Sequence, residues 1–379
     1  MESGVAGNPI LDWERYTVEL KERLGIDNQL LRVIGNKARK NPKRVVFAEA
    51  ENQKILKTAQ LVQDEGLAYP ILLGDPKTIQ SIAAESAIDL EGMVIIDPKG
   101  DDSREKRAYY GDLFFAKRQR KGFNYYESNK IMRDRLYFGC MMVETGEADA
   151  MISGLSKNYP DTIRPALQII GMEEGSKKVA GMYIMMTKKG PIFLADTTVN
   201  FNPTADELAD ITLMVAREVK NFGIQPCIAM LSYSNFGSSD SPEAKLVAKA
   251  REIVKQKEPT LVVDGEVQAN VAFNKEMIRD NYPFSELVNK DVNVLIFPNL
   301  AAGNVAYNLL QELGEAEAIG PILLGLSKPV HILQLGSQVR SIYNMVLIAV
   351  VDAQMKCNNH KEPEGFLSGK WKRSKKINV

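Results

Sequence analysis

The sequence is poor in the residues on which much catalytic and redox chemistry depends. Its 379 residues hold two histidines, His331 and His360, and three cysteines, Cys140, Cys227 and Cys357. His360 lies in a polar tail, so a serine or cysteine triad has one poor candidate base. The cysteines are far apart and form no CxxC pair, which suits buried thiols in a reducing cytoplasm better than a disulfide or zinc framework. There is no GxxxxGK(S/T) loop, no GxGxxG fingerprint after a strand and no HExxH pair, so nucleoside triphosphate or nicotinamide chemistry within the chain has no support. Acidic and basic residues balance at 48 each, leaving no global field to attract nucleic acid or a membrane surface. No apolar run reaches the length of about 18 residues that spans a bilayer. The N-terminal MESGVAGNPILDWERY lacks the basic and apolar regions of a signal peptide, so the expected setting is the cytoplasm.

What is present is an ordinary globular composition, 45% hydrophobic and 25% charged, on a chain long enough for two domains with separate cores. Short β-branched runs at 45–48, 71–74, 93–97, 150–154, 192–196, 227–232, 261–264, 292–298 and 322–326 alternate with longer helical patterns. That alternation predicts βαβ units, an α/β fold and mostly parallel sheets. Thr204-Ala205-Asp206-Glu207 reads as a capping box, and Ser241-Pro242-Glu243 places a hydroxyl before a proline at the first helical position. Asp196, Asp264 and Glu266 stand at strand ends, where site residues and helix caps are equally at home. Residues 12–24 form an amphipathic pattern with Trp13, Tyr16, Leu20 and Leu24 on one face. Beyond Gln354 the chain becomes a polar tail with a Lys/Arg cluster around Trp371, expected to be solvated or packed on a partner rather than to bind phosphate.

Five blocks carry a resemblance: ADAMISGLSKNYPDTIRPALQIIG, PIFLADTTVNFNPTADELADI, LSYSNFGSSDSPEAKLVAKA, VLIFPNLAAGNVAYNLLQELGEAEAIGP and GPILLGLSKPVHILQLGSQVRSI. In this order they resemble the phosphate acetyltransferase (phosphotransacetylase) family, and most of all the phosphotransacetylase-like C-terminal region of hybrid NADP-dependent malic enzymes. The resemblance implies a two-domain phosphotransacetylase-like (isocitrate/isopropylmalate dehydrogenase-like) α/β/α fold. It divides the chain into a junction and linker helix (1–27), a discontinuous domain I (28–173 plus 321–356), an inserted domain II (174–320) and a basic tail (357–379).

The family's reaction exchanges an acetyl group between coenzyme A and phosphate, which needs a base for the thiol and cations or donors for phosphate and oxyanion. The family run after the KPV turn is approximately N-D-L-S-R-G, followed by an aspartate that resembles the thiol base. Here Gln334 stands for the serine, Leu335 for the arginine and Ser341 for the base, while Glu312 aligns with a further arginine. Moving Arg340 into register would break the match of GPILLGLSKPV and Gly336, so catalysis is expected to be lost. Binding residues implied by the resemblance are Arg118, Arg164, Ser153 and Gly154, together with Asn299, Gly303 and Asn304 at a helix start. Gln334, Ser337 and Arg340 add polar groups. Acetyl-CoA or CoA is the expected ligand, with NADP and a divalent metal only in an attached upstream malic-enzyme half. The family's dimeric habit implies a homodimer or higher homo-oligomer; Ile342, Met345, Val346 and Ala349, at helical spacing, could face that partner as easily as the core, and the dimeric habit favours the partner.

Overall fold

The computed structural model describes residues 25–359 save 189 and 315–316, so residues 12–24 and the tail from 360 onward lie outside the described residues. Helix α1 (Gly25–Lys40) leads into β1 (Lys43–Phe47), α2 (Gln53–Asp64), β2 (Ala68–Leu73), α3 (Pro76–Glu85) and β3 (Val94–Ile96). Helices α4 (Arg104–Arg118), α5 (Tyr125–Ile131) and α6 (Arg135–Glu144) precede β4 (Ala150–Ser153) and α7 (Tyr159–Ile169). Then come β5 (Ala180–Thr187), β6 (Gly190–Ala195), α8 (Ala205–Asn221), β7 (Cys227–Leu231), α9 (Pro242–Lys257) and β8 (Val262–Val267). Two short helices, α10 (Ala269–Ala272) and α11 (Lys275–Asn281), lead to β9 (Val294–Ile296), α12 (Leu300–Gly314), β10 (Glu317–Leu324), β11 (Val330–Ile332) and α13 (Val339–Asn359).

The strands form a five-stranded sheet, ordered β11-β4-β1-β2-β3 and wholly parallel, and a six-stranded sheet, ordered β10-β5-β6-β9-β7-β8. In the second sheet β5 runs antiparallel to both neighbours, and the remaining pairs are parallel. The β-branched runs are continuous because parallel strands are covered on both faces. Within β1, Val45 and Phe47 enter one core and Val46 the other. The expected α/β fold with largely parallel sheets is the fold observed, and each expected apolar run overlaps a strand. Two further strands had weak signals: β5, AGMYIMMT, is methionine-rich rather than β-branched, and β11 is only three residues long.

The Thr204 capping box is formed in full, with the Thr204 hydroxyl on Glu207 N and the Glu207 carboxylate on Thr204 N. Ser241 accepts from Ala244 N ahead of Pro242, so both local helix starts form as their residues dictate. The domain boundary expected between 320 and 321 falls inside β10, which stays paired with β5 as far as Leu324. The chain rejoins the first sheet at β11. The helix α13 likewise passes Gln354 and continues to Asn359.

That last helix joins the two halves. It packs on α1, α2, β1, β4 and β10, within one core that also contains Phe193 of β6 and Val215 of α8. Ile342, Met345, Val346 and Ala349 are at most 1% exposed. The expected partner face is therefore closed, because α13 is buried in its own chain from Asn344 to Gln354, with Ile342 buried before it. Burying each such side chain contributes roughly 1.5–3 kcal/mol, which keeps the face inside. Among the described residues no helix is long and apolar enough to cross a membrane.

Candidate functional site

The site lies at the carboxyl ends of β4 and β11, the end of an open parallel sheet where ligand crevices form. Leu333 N donates to Ser153 O over 2.7 Å, so the turn after β11 is carried on the end of β4. Gly336 closes that turn at φ +79°, and Lys54 Nζ of α2 holds it through the carbonyls of Gly336 (3.3 Å) and Ser337 (3.2 Å). Ser337 N and Oγ both donate to Gln334 O.

Gln334 is gripped between the two sheets. Its Nε2 donates to Tyr183 Oη of β5 and to Tyr307 Oη of α12, each over 2.6 Å. The two phenol rings are stacked, with centroids 4.0 Å apart and planes 19° from parallel. Burial, and then the neighbouring Tyr307, push the Tyr183 phenol far above its usual range, so it remains a neutral hydroxyl. The Gln334 side chain is thus an amide locked by two phenols. Leu335 is 63% exposed and brings no charge. Ser341 is half-buried in the first turn of α13, and Glu312 is exposed in the last turn of α12.

The expected anion-binding turns hold groups of the chain itself. Gly154 takes φ +101°, and a Cβ there would stand 2.7 Å from Ile332 Cγ2, so glycine is required. The amides that follow β4 face the Glu49 carboxylate: Gly154 N (2.6 Å) and Leu155 N (2.7 Å) donate to Oε2, while Ser156 N (3.0 Å) and Oγ donate to Oε1. Asn299 caps α12 by accepting from Ala302 N at 2.9 Å, and Asn304 Nδ2 donates to Thr197 O. At Gly303 a Cβ would overlap the carbonyl oxygen of Asp196, so glycine lets α12 lie directly on the loop after β6. The strand-end carboxylates also prove structural. Asp196 accepts from the backbone of Gly181, Thr198, Val199 and Asn200; Asp264 from Ser285 Oγ and Glu286 N; Glu266 from Ser234 Oγ and Gly237 N.

The structure thus gathers Ser153, Gly154, Gln334 and Ser337 with Tyr307 of α12, while each expected arginine is paired within its own chain. Arg118 is held by the last carbonyls of α7, with Nε on Gln168 O (2.8 Å) and Nη2 on Leu167 O (3.0 Å), which makes it a helix C-cap group. Arg164 is 59% exposed and pairs at 3.6 Å with Asp161, one turn earlier. Both lie near Tyr137, whose phenol burial raises and their charges lower. Arg340 is paired with Glu317 of β10 at 2.7 Å. His331 is fully buried, 3.2 Å from Asp352, and so is no base for the cleft. Among the described residues no group of three or more His, Cys, Asp and Glu side chains could hold a metal ion.

Tyr183, Tyr307 and Glu49 are site residues that the sequence did not single out. The tyrosines carry no spacing signal, since Tyr183 and Gln334 are 151 positions apart. Glu49 had one: a carboxylate just after a strand, in the same kind of place as Asp196.

Comparison with known proteins agrees with this geometry. Residues 29–350 match the family described as phosphate acetyl/butaryl transferase. The NADP-dependent malic enzyme of Escherichia coli K12 is 37% identical over 356 residues, covering 93% of this chain and 47% of that protein. The phosphate acetyltransferase of Bacillus subtilis 168 is 38% identical over 312 residues, covering 82% of this chain and 94% of that one. A phosphotransacetylase structure from Streptococcus pyogenes superposes with a TM-score of 0.80 at 33% identity, covering 86% of this chain and 99% of that one. The chain spans about half the length of the malic enzymes it matches. Fold, strand-end crevice and sequence match agree: this chain belongs to the phosphate acetyl/butaryl transferase family.

Proposed function

We propose that this chain is a catalytically silent phosphotransacetylase-like regulatory domain, that it binds acetyl-CoA, and that in the native cytoplasmic protein it is attached to a malic-enzyme half that oxidatively decarboxylates malate to pyruvate. The observation that carries the silence is Gln334, fixed by Tyr183 and Tyr307 where acetyl transfer needs a hydroxyl with an adjacent cation. Leu335 cannot stabilise an oxyanion, and losing one such donor alone typically costs about 100- to 1000-fold in turnover. The similarity to malic enzymes over 93% of this chain supports the attachment. Any NADP and divalent metal belong to that other half. Domains I and II are taken as the first-sheet and second-sheet regions. The chain is a homodimer whose partner face is α12, where Val305, Leu309 and Leu313 recur at helical spacing with at least half of each exposed.

The polyanionic end of acetyl-CoA is met by Arg164, which is largely open to solvent and whose pair with Asp161 is loose at 3.6 Å, against 2.7 Å for Arg340 and Glu317. The alternative is an active phosphate acetyltransferase converting acetyl-CoA and phosphate to acetyl phosphate and CoA, favoured by the match across 94% of the B. subtilis enzyme. Two measurements decide. Purified chain with acetyl phosphate and CoA is expected to show no turnover near the roughly 10 per second of a median enzyme. Calorimetry with acetyl-CoA is expected to show binding. Turnover at that level establishes the alternative, and no heat at millimolar acetyl-CoA removes the effector role.

A further inference from the structure

The described chain passes between the two sheets at two places, from α7 to β5 (170–179) and from β10 to β11 (325–329). These crossings run side by side: Glu173 N donates to Gly325 O (2.8 Å), Ser327 N to Gly171 O (3.1 Å) and Ser327 Oγ to Ile170 O (2.8 Å). Gly171 and Gly325 take φ of +76° and +84°, and a Cβ at Gly325 would stand 2.6 Å from Lys178 O, so the joint is built on glycine. Because β11 is three residues long, the Gln334 turn lies one short strand away.

A cavity of about 70 Å³ lies against this joint. Its wall includes Glu173 from one crossing and Gly325 from the other, with Glu218 of α8 and Asp352 of α13. Helix α8 packs on β6 and β10, and α13 on β1 and β4, so the two carboxylates come from different sheets' cover. The cations around them are engaged: Arg217 with Glu173 at 2.6 Å, Lys356 with Asp352 at 3.1 Å, and Lys37 of α1 with Asn221 O at 2.9 Å. His331 of β11 stands 3.2 Å from Asp352, and β10 adds Leu323 and Leu324 without charge. Glu218 is left with one hydrogen bond, from Asn221, and with no ion pair among the described residues.

A carboxyl placed in this way is stable neutral and costly when charged. With its proton it stays in the cavity wall; without it, it faces the charge of Asp352 and needs water that so small a space supplies sparingly. Burial, and then Asp352, raise the Glu218 carboxyl to about 7, so it is neutral below neutral pH and charged above. Parting α8 from α13 lets water reach the charge, and the proton leaves to that water.

We propose that Glu218 and Asp352 form a proton-held latch at the joint between the two sheets: with the proton bound the crossings are locked, and with it lost α8 and α13 part and the crossings loosen. The latch concerns the joint alone and stands whether or not the cleft takes a CoA ester.

The test is amide hydrogen exchange of the whole chain, without ligand, at pH 6 and pH 8, corrected for the pH dependence of exchange itself. In the parent, the amides of 171–175 and 325–328 should lose protection by roughly tenfold or more at pH 8, while β1 and β2 keep theirs. Glu218→Gln keeps the shape and cannot ionise, so its protection should be the same at both pH values. Asp352→Asn removes the like charge and frees Lys356 for Glu218, so its loss should be blunted. Equal protection of the parent at the two pH values overturns the latch without need of a variant, as does a loss of the same size in Glu218→Gln. A loss spread equally over β1 and β2 also overturns it, by making Glu218 a term in global stability only.

Discussion

Replacing Glu218 by glutamine should make the protein more stable above neutral pH and leave it nearly unchanged in mild acid. Glu218 is on α8, is 8% exposed, and has one hydrogen bond, from Asn221 Nδ2 at 3.2 Å. Facing it from α13 is Asp352, which is paired with Lys356 of the same helix and with His331 of β11; Arg217 lies beside it on α8. Burial first, and then the charge of Asp352, push the Glu218 carboxyl from 4.5 up to about 7. Asp352 is also buried, but Lys356 and then His331 hold it below its usual range, so it is the member of the pair that stays charged. The folded state thus binds a proton more tightly at Glu218 than the unfolded chain does. The stability this contributes is complete below about pH 4.5, declines as pH rises, and is gone above the folded value of about 7. At about 1.4 kcal/mol per pH unit, the loss over that interval is roughly 3 kcal/mol. Glutamine keeps the shape and the contact with Asn221 but cannot ionise. Urea unfolding from pH 4 to pH 8 should therefore give curves that nearly coincide at pH 4 and diverge toward pH 8, where Glu218→Gln is more stable by up to roughly 3 kcal/mol. Parallel stability profiles for parent and variant would refute the assignment of this proton to Glu218.

Gly303→Ala should destabilise the fold by about 1–3 kcal/mol, because the new methyl would overlap the Asp196 carbonyl oxygen and push α12 off β6; a thermal melt with an unchanged midpoint would contradict this. Arg118→Ala should lower stability by about 1–3 kcal/mol through the freed carbonyls of Leu167 and Gln168, with acetyl-CoA affinity little changed. Arg164→Ala should do the reverse, weakening acetyl-CoA by roughly tenfold with no change in melting temperature, and calorimetry beside a melt separates the two arginines. In a full-length protein carrying a malic-enzyme half, acetyl-CoA should change malate-dependent NADP reduction by roughly five- to 150-fold, and Arg164→Ala should blunt that response.

The elements legible in the sequence were those whose signals are local. The β-branched runs marked strands buried on both faces, and Thr204 to Glu207 and Ser241 to Pro242 marked helix starts, because the groups that satisfy them lie within three or four residues. The uncharged residue types at Gln334, Leu335 and Ser341 were legible too, since they are a matter of identity and not of placement. The destination of each long-range side chain was not. Ile342, Met345, Val346 and Ala349 form the same apolar pattern on a partner face as in a core, and only the cover provided by α1, α2 and β10 distinguishes them. Arg118 looked like a cleft cation until the end of α7 claimed it, and Asp196 like a site carboxylate until the amides of its own loop closed on it. By itself, then, the sequence determined the alternation of elements, the caps and the uncharged residue types at Gln334, Leu335 and Ser341, all properties of residue type and short spacing. The tertiary structure alone decided that Tyr183, Tyr307 and Gln334 meet and that Glu49 sits on the amides after β4. Those outcomes depend on how two sheets approach across α13, and nothing in the local chain encodes contacts between residues 27 to 151 positions apart.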